Sequence, residues 1–410
     1  MKICGIIAEY NPFHSGHDYH IRETRRILGE NTAIVCVMSG NYVQRGDAAM
    51  MEKYQRARAA ARCGADLVIE MPLSAVLSSA AGFAWGGVQL LDRLGFVDYI
   101  SFGSECGNLE SLSETAHLLK SDALTPHLRS SLRSGLSYAA AQQLALQSIS
   151  PHHASLLANA NNTLGIEYIS ALQALKSSIQ PITVRRDGAA HDSEKLETNR
   201  HPSASALRHL VFAGKSSDCL PYLPANSAEE LYTALNTGNA PVSLTRVESA
   251  LLSHLRRFSV EEILKYTSGD DGLANRLFQA IRKEYSYDNI CLAAQTRCYP
   301  LARIRRALLR MFLELDDTFV PEALYARVLA IGPFGRQILR LAEKADIPFI
   351  IKPTSERNLP CEMQEFLRKD EIADDLYALM FPNKTFHIAG ERYRKTPFVS
   401  PKVLLDFPTV

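Results

Sequence analysis

Over the first hundred positions, apolar residues arrive in short, nearly unbroken runs: KICGIIA (2–8), TAIVCVM (32–38), DLVIE (66–70) and DYISFG (98–103). Runs of this length without polar alternation predict strands buried on both faces. Between them lie stretches of helical length: 16–28, EKYQRARAAARCG ending at Gly64, and an uncharged segment over 71–91. Strands alternating with helices predict βαβ units and a parallel sheet, with ligands beyond the carboxyl ends of its strands near a topological switch point. NPFHSGH, SGNYVQRGD and GSECGN, rich in Gly, Asn and Ser, occupy those ends and mark the candidate site.

Further on, 109–146 reads as helical with Pro126 and Gly135 as punctuation, and NNTLGIEYISALQAL (161–175) reads as a helix capped by an asparagine. PITVRRDG (181–188) reads as a fifth strand, and SASALRHLVFAG as a short serine-capped helix. From about residue 216 the βα rhythm stops. Helical pattern runs to Leu315, then 325–353 predicts a small strand–helix–strand unit and 363–381 an amphipathic helix. The expected fold class is α/β: a Rossmann-like parallel-sheet domain over 1–215, then a mainly helical region over 216–410 carrying the small α/β unit.

Composition narrows the function. The 45 basic and 44 acidic side chains of the 410 residues nearly cancel, so any nucleic-acid surface is a local patch rather than a global field. The eight cysteines form no CxxC pair, which argues against structural zinc and a disulfide framework. No basic-then-apolar leader precedes the first strand, so the expected compartment is the cytoplasm. The 71–91 segment has the length of a membrane span, but strands flank it closely. It reads as a buried crossover helix, and no membrane association is expected.

The chemistry concentrates in EYNPFHSGH (9–17). A helix beginning at Gly16 offers backbone N–H groups and its dipole to an anion, and His14 and His17 add side-chain donors beside them. Donors fixed in advance suit phosphoryl or nucleotidyl transfer, where charge builds on oxygens around phosphorus. HxxH lacks the i, i+4 spacing and acidic helper of HExxH, so a metal site is the weaker reading.

HxGH after the first strand resembles the signature of the nucleotidyltransferase superfamily that includes class I aminoacyl-tRNA synthetases and small adenylyltransferases. AEYNPFHSGH, MSGNYVQRGD, GADLVIEMP, YISFGSEC, NNTLGIEY and PSASALR, in that order, resemble the bacterial tRNA(Met) cytidine acetate ligase family, strongly over 1–215 and more loosely beyond. The resemblance implies ATP as substrate, accompanied by Mg²⁺, with acetate and elongator tRNA(Met) as the other partners; the sequence itself makes no dedicated metal site and no protein partner evident. Acetate would form acetyl-adenylate, and the acetyl group would pass to the wobble cytidine to give N4-acetylcytidine.

By motif, the implied ATP site comprises Ile7, Ala8, Glu9, Tyr10, Asn11, Pro12, Phe13, His14, Ser15, Gly16, His17, Asp18, Tyr19 and His20, with Gly103, Asn161 and Arg186; His14 and His17 are the implied catalytic pair. Ala160 stands where the family often has proline, which leaves open whether Asn161 or Asn162 meets the nucleotide, Asn161 being preferred. Ala190 replaces a frequent tyrosine and weakens a role for His191.

Arg303, Arg306 and Arg310 recur at i, i+3, i+7 on one helix face near Tyr299, a pattern suited to tracking RNA phosphates or to a solvated basic face. Asn41, Gln44 and Arg45 in SGNYVQRGD form a second candidate contact, able to read polar edges or hold a phosphate, with nothing in the motif distinguishing RNA from nucleotide. A small-molecule adenylyltransferase is the alternative function; it would share HxGH but would not need the helical half.

Overall fold

The strands expected from the unbroken apolar runs form within a residue or two of their expected ends. In chain order they are β1 (Ile3–Ala8), β2 (Ala33–Ser39), a short hairpin of β3 (Tyr42–Val43) and β4 (Asp47–Ala48), β5 (Leu67–Met71), β6 (Tyr99–Ser104), β7 (Gln180–Arg185), β8 (Ala326–Ile331), β9 (Phe349–Ile350) and β10 (Phe398–Val399). The computed structural model describes residues 1–186, 201–320 and 322–401.

The main sheet runs β10-β8-β5-β2-β1-β6-β7, with β9 also on β8. From β1 the chain steps outward through β2 to β5, then returns to the other side of β1 as β6. Both neighbours of β1 are parallel to it, so the switch point lies between the carboxyl ends of β1 and β6.

Alternation along the strands sends side chains to two cores. Cys4, Ile6, Ile34, Cys36 and Met38 pack with Ile21 of α1 (Ser15–Leu28) and with Ala57 and Ala60 of α2 (Lys53–Arg62). Ile3, Val35, Val37, Leu67 and Ile69 belong to the other core with Val88 and Leu91. Helices on both faces explain why these strands are apolar throughout.

Three expectations are corrected. The sheet is mixed, because β8 runs antiparallel to β5 with Leu67 opposite Ile331. The late strands β8, β9 and β10 thereby extend the same sheet as β1. The uncharged segment breaks into Leu73–Val76 and Ala80–Arg93. Among the described residues no helix is long and apolar enough to cross a membrane. The helix Ala160–Leu175 begins before its asparagine pair, so Asn161 and Asn162 lie in its first turn instead of capping it. Ser203 does cap Ala204–Phe212, its side chain accepting from Ala206 N–H at 3.0 Å.

The late helix Cys361–Ala378 fastens onto the β3–β4 hairpin and its flanks. Tyr42 and Tyr377 hydroxyls donate to the carbonyls of Ala373 and Ala49, and Asp374 accepts from Asn41 at 2.9 Å and Lys53 at 2.6 Å. The hairpin is thereby held over the carboxyl end of β1, where Gln44 N–H donates to Glu9 at 2.7 Å.

Candidate active site

A cavity of about 670 Å³ lies at the switch point, a size typical of small-molecule sites. The turn after β1 forms part of its wall. Tyr10 takes a left-handed backbone (φ 48°) and Asn11–Pro12 is cis. The buried Arg56 guanidinium donates to the carbonyls of Glu9, Ser39 and Gly40 and to that of Met51 at 2.9 Å, tying the ends of β1 and β2 to the hairpin segment.

His14 is the N-cap of α1. Its Nδ1 accepts from Gly16 N–H at 3.1 Å, while His17 Nδ1 accepts from His14 N–H at 3.2 Å, a capping box built from two imidazoles. The rings stack with centroids 3.8 Å apart. Because each Nδ1 is an acceptor, the neutral rings carry their proton on Nε2. The expectation of open backbone N–H groups beside two free-standing histidines is therefore corrected. The histidines consume two of those N–H groups through Nδ1, leaving the ring protons on Nε2.

His20 follows the same tautomer. Thr24 spends its hydroxyl proton on the His20 carbonyl (2.8 Å), so Ser101 donates to Thr24 (2.7 Å) and accepts from His20 Nε2–H (2.8 Å). Burial, then the Arg186 charge, push the His20 pKa down to about 4, so this ring is neutral at physiological pH.

Across the cavity, Gly103 of β6 lets Arg186 lie close: a Cβ there would stand 3.2 Å from Arg186 Cγ. Arg186 donates to Asn161 Oδ1 at 3.3 Å, and Asn161 Nδ2 donates to Glu105 at 2.6 Å. Asn162 faces inward, its Oδ1 accepting from the backbones of Glu105 and Cys106 at 2.9 and 3.1 Å. Of the pair, Asn161 lines the cavity and Asn162 does not. Burial lowers the Arg186 pKa, opposed by Glu105.

A family profile described as HIGH Nucleotidyl Transferase matches residues 1–392. The tRNA(Met) cytidine acetate ligase of Acetivibrio thermocellus is 34% identical over 96% of this chain and 98% of its own, and that of Caldanaerobacter subterraneus 36% identical over 93% and 96%. The crystal structure of Thermotoga maritima TmcAL bound with alpha-thio ATP superposes with a TM-score of 0.89 at 30% identity, covering 97% of this chain and 99% of that one. The apo form of that protein gives 0.91 at 31% identity over the same shares. The chain belongs to the tRNA(Met) cytidine acetate ligase family.

Of the residues the family motifs imply for ATP, the cavity brings together Ile7, Ala8, Glu9, Tyr10, Asn11, His14, Gly16, His17, Tyr19, His20, Gly103, Asn161 and Arg186. Four others stand off its wall. Pro12 carries the cis bond, and Phe13 is buried, its carbonyl accepting from Ser227 at 2.6 Å. Ser15 bonds His201 Nδ1 at 2.9 Å, and Asp18 pairs with Arg22 at 3.0 Å. Asp187, Gly188, Ala190 and His191 lie outside the described residues.

Gln44, Arg45, Asp47, Ser203, Arg208 and Arg305 also line the cavity. Most sit in SGNYVQRGD, which the sequence left open between RNA and nucleotide, and in PSASALR, which received no ATP role; Arg208 donates to the Asn11 carbonyl at 2.9 Å. Arg305, on the helix Leu301–Phe312, had no signal beyond its place in a basic run.

The arginine stripe is corrected in part. Arg310 is 14% exposed, donating to the carbonyls of Leu315 and Asp316 and pairing with Asp317 at 3.2 Å. Arg306 donates to the Gln44 carbonyl at 3.1 Å, and burial ahead of repulsion from Arg303 and Arg310 pushes its pKa down to about 10. Arg303, 38% exposed, pairs with Asp270 at 2.9 Å and lies over the Tyr299 ring. Asn41 is buried against Lys53 N–H and Asp374 and cannot reach a base. Among the described residues the cysteines are free, and no group of three or more metal-ligating side chains is placed to hold an ion.

Proposed function

We propose that this protein uses ATP to join acetate to the wobble cytidine of elongator tRNA(Met). The observation that carries the reading is the pair of Nε2–H imidazoles, His14 and His17, fixed on one helix turn at the switch-point cavity of a family member. An acetate oxygen attacks the α-phosphorus of ATP and pyrophosphate leaves; the cytidine amine then attacks the acetyl carbonyl and AMP leaves. His14 and His17 stabilise the charge that builds on the phosphate oxygens, and such preorganised donors act more strongly in the transition state than in the ground state. Gly103, Asn161 and Arg186 form the opposite wall for the nucleotide. Mg²⁺ enters with ATP, held mainly by phosphate oxygens and water and neutralising their charge.

RNA contact is assigned to the 216–410 half, with Arg303 its most exposed stripe member. The cytoplasm, where tRNA is modified, is the compartment this reading implies. The small-molecule adenylyltransferase is not favoured, since the helical half supplies Val242, Ser243 and Arg305 to the cavity wall. The test is exchange of labelled pyrophosphate into ATP by the purified protein with and without acetate and tRNA, followed by transfer of labelled acetate to the tRNA. Exchange that responds to a phosphorylated metabolite and not to acetate would replace the reading.

A further inference from the structure

Among the described residues, the cavity wall carries Arg45, Arg185, Arg186, Arg208 and Arg305, and the carboxylates there are Glu9 and Asp47. Glu9 Oε1 is committed to Gln44 N–H. Asp47, on β4 of the hairpin, accepts from Ala48 N–H through Oδ1 at 2.8 Å. Its other oxygen has no hydrogen-bond partner among the described residues, nor does Asp47 make an ion pair there. Burial raises its pKa, while the backbone N–H of Ala48, then Arg305 and Arg208, pull it back. A carboxylate repels phosphate, so Asp47 is misplaced as a ligand for a triphosphate. It is well placed for a neutral N–H donor.

Resting on the function proposed above, we infer that Asp47 is the residue that recognises the exocyclic amine of the wobble cytidine and accepts its proton during acetyl transfer. Aspartate accepts from cytosine N4–H₂, whereas uracil would present its O4 lone pairs to the same oxygen. The contact therefore selects cytidine over uridine by an unpaired acceptor. In the transfer step the amine nitrogen forms the C–N bond to the acetyl carbon, and the carbon–oxygen bond to the adenylate phosphate breaks. AMP leaves with that electron pair, and the proton shed by nitrogen passes to Asp47. The Ala48 N–H and the nearby Arg305 and Arg208 favour the charged carboxylate against the burial that opposes it.

Asp47→Asn keeps the shape and removes the base. Parent and variant are compared on three readouts: acetate-dependent pyrophosphate exchange without RNA, binding of tRNA(Met) transcripts carrying wobble cytidine or uridine, and single-turnover transfer from preformed acetyl-adenylate across pH 5–8. The inference expects exchange within about threefold of the parent and transfer slowed by about 10²-fold or more, the range of a lost general base. The parent's preference for cytidine over uridine, on the order of tenfold, shrinks to within about threefold, and the acid limb of its rate–pH profile disappears in the variant. Unchanged transfer and preference would overturn it. So would loss of exchange in proportion to transfer, which would assign Asp47 to the nucleotide or its Mg²⁺. If the parent itself shows no acetate-dependent exchange and no cytidine acetylation, the failure belongs to the proposed function, and the inference falls with it.

Discussion

His14 and His17 hold each other's place: His17 Nδ1 takes the N–H of His14, His14 Nδ1 takes that of Gly16, and the two rings stack at 3.8 Å. One set of hydrogen bonds starts the helix, fixes both tautomers and orients both Nε2–H groups. Helix capping and the proposed catalytic geometry thus rest on the same hydrogen bonds.

His17→Ala therefore mixes two effects, losing the Nε2 donor and a cap contributing about 1 kcal/mol. His17→Gln separates them, because glutamine at the third helical position can reach back to the cap N–H. We expect His17→Gln to lower acetate-dependent exchange by ~10²–10³-fold with its urea midpoint near the parent's. Native exchange in His17→Gln would remove the ring from the chemistry.

Gly46 sits at φ 77° where the hairpin meets the helix Leu301–Phe312, and a Cβ there would lie 2.5 Å from Arg306 N. Gly46→Ala should push that helix and Arg305 off the cavity, cutting acetyl transfer by about tenfold or more through misplacement alone. A circular dichroism spectrum matching the parent's, with full activity, would show the contact is dispensable.

Arg303 and Arg310 should behave differently although they share a helix face. Arg310→Ala leaves the carboxylate of Asp317 and two carbonyls without their donor and should cost about 1–3 kcal/mol in urea unfolding. Arg303→Ala should leave stability within ~0.5 kcal/mol and lower the salt slope of tRNA binding by about one ion. Reversed behaviour would mean that the stripe is read wrongly at both ends.

Lys53 is buried between Glu70 at 2.8 Å and Asp374 at 2.6 Å, and these carboxylates raise its pKa against the desolvation that would lower it. Lys53→Met strands both acids and should cost about 3–5 kcal/mol, loosening the late helix from the hairpin. Equal urea midpoints for variant and parent would sink this account.

His20 carries a pH signature. Its folded pKa of about 4 lies below the ordinary 6.5, so between those values the unfolded chain binds a proton the folded chain does not. This contribution is full above pH 6.5 and is lost as pH falls toward 4. His20→Gln should flatten the decline of Tm across that window. An unchanged slope would place the titration elsewhere.

The sequence by itself determined the inner strands, the helix after the first turn, the strand-end loops that carry the site and the histidine pair. Each depends on local pattern: unbroken apolar runs read as buried strands, and HSGH follows one of them directly. The serine cap at Ser203 was legible for the same reason, since a cap involves neighbours three residues apart. Asn161 could be preferred from sequence, yet only the fold shows Asn162 turned inward to the Glu105 and Cys106 backbones.

Tertiary structure alone decided the partners separated by hundreds of residues. β8 joins the sheet antiparallel beside β5 because the β5 edge needs hydrogen bonds that 1–215 does not supply. Asp374 closes on Lys53, and Arg306 turns inward to the Gln44 carbonyl. Helical periodicity places Arg303, Arg306 and Arg310 on one face, but which of them meets solvent depends on what packs there, and sequence spacing carries no information about that. The same limit hid Asp47. Its hairpin is two residues per strand, too short for any periodic signal, and its carboxylate becomes chemically distinctive only when distant arginines surround it.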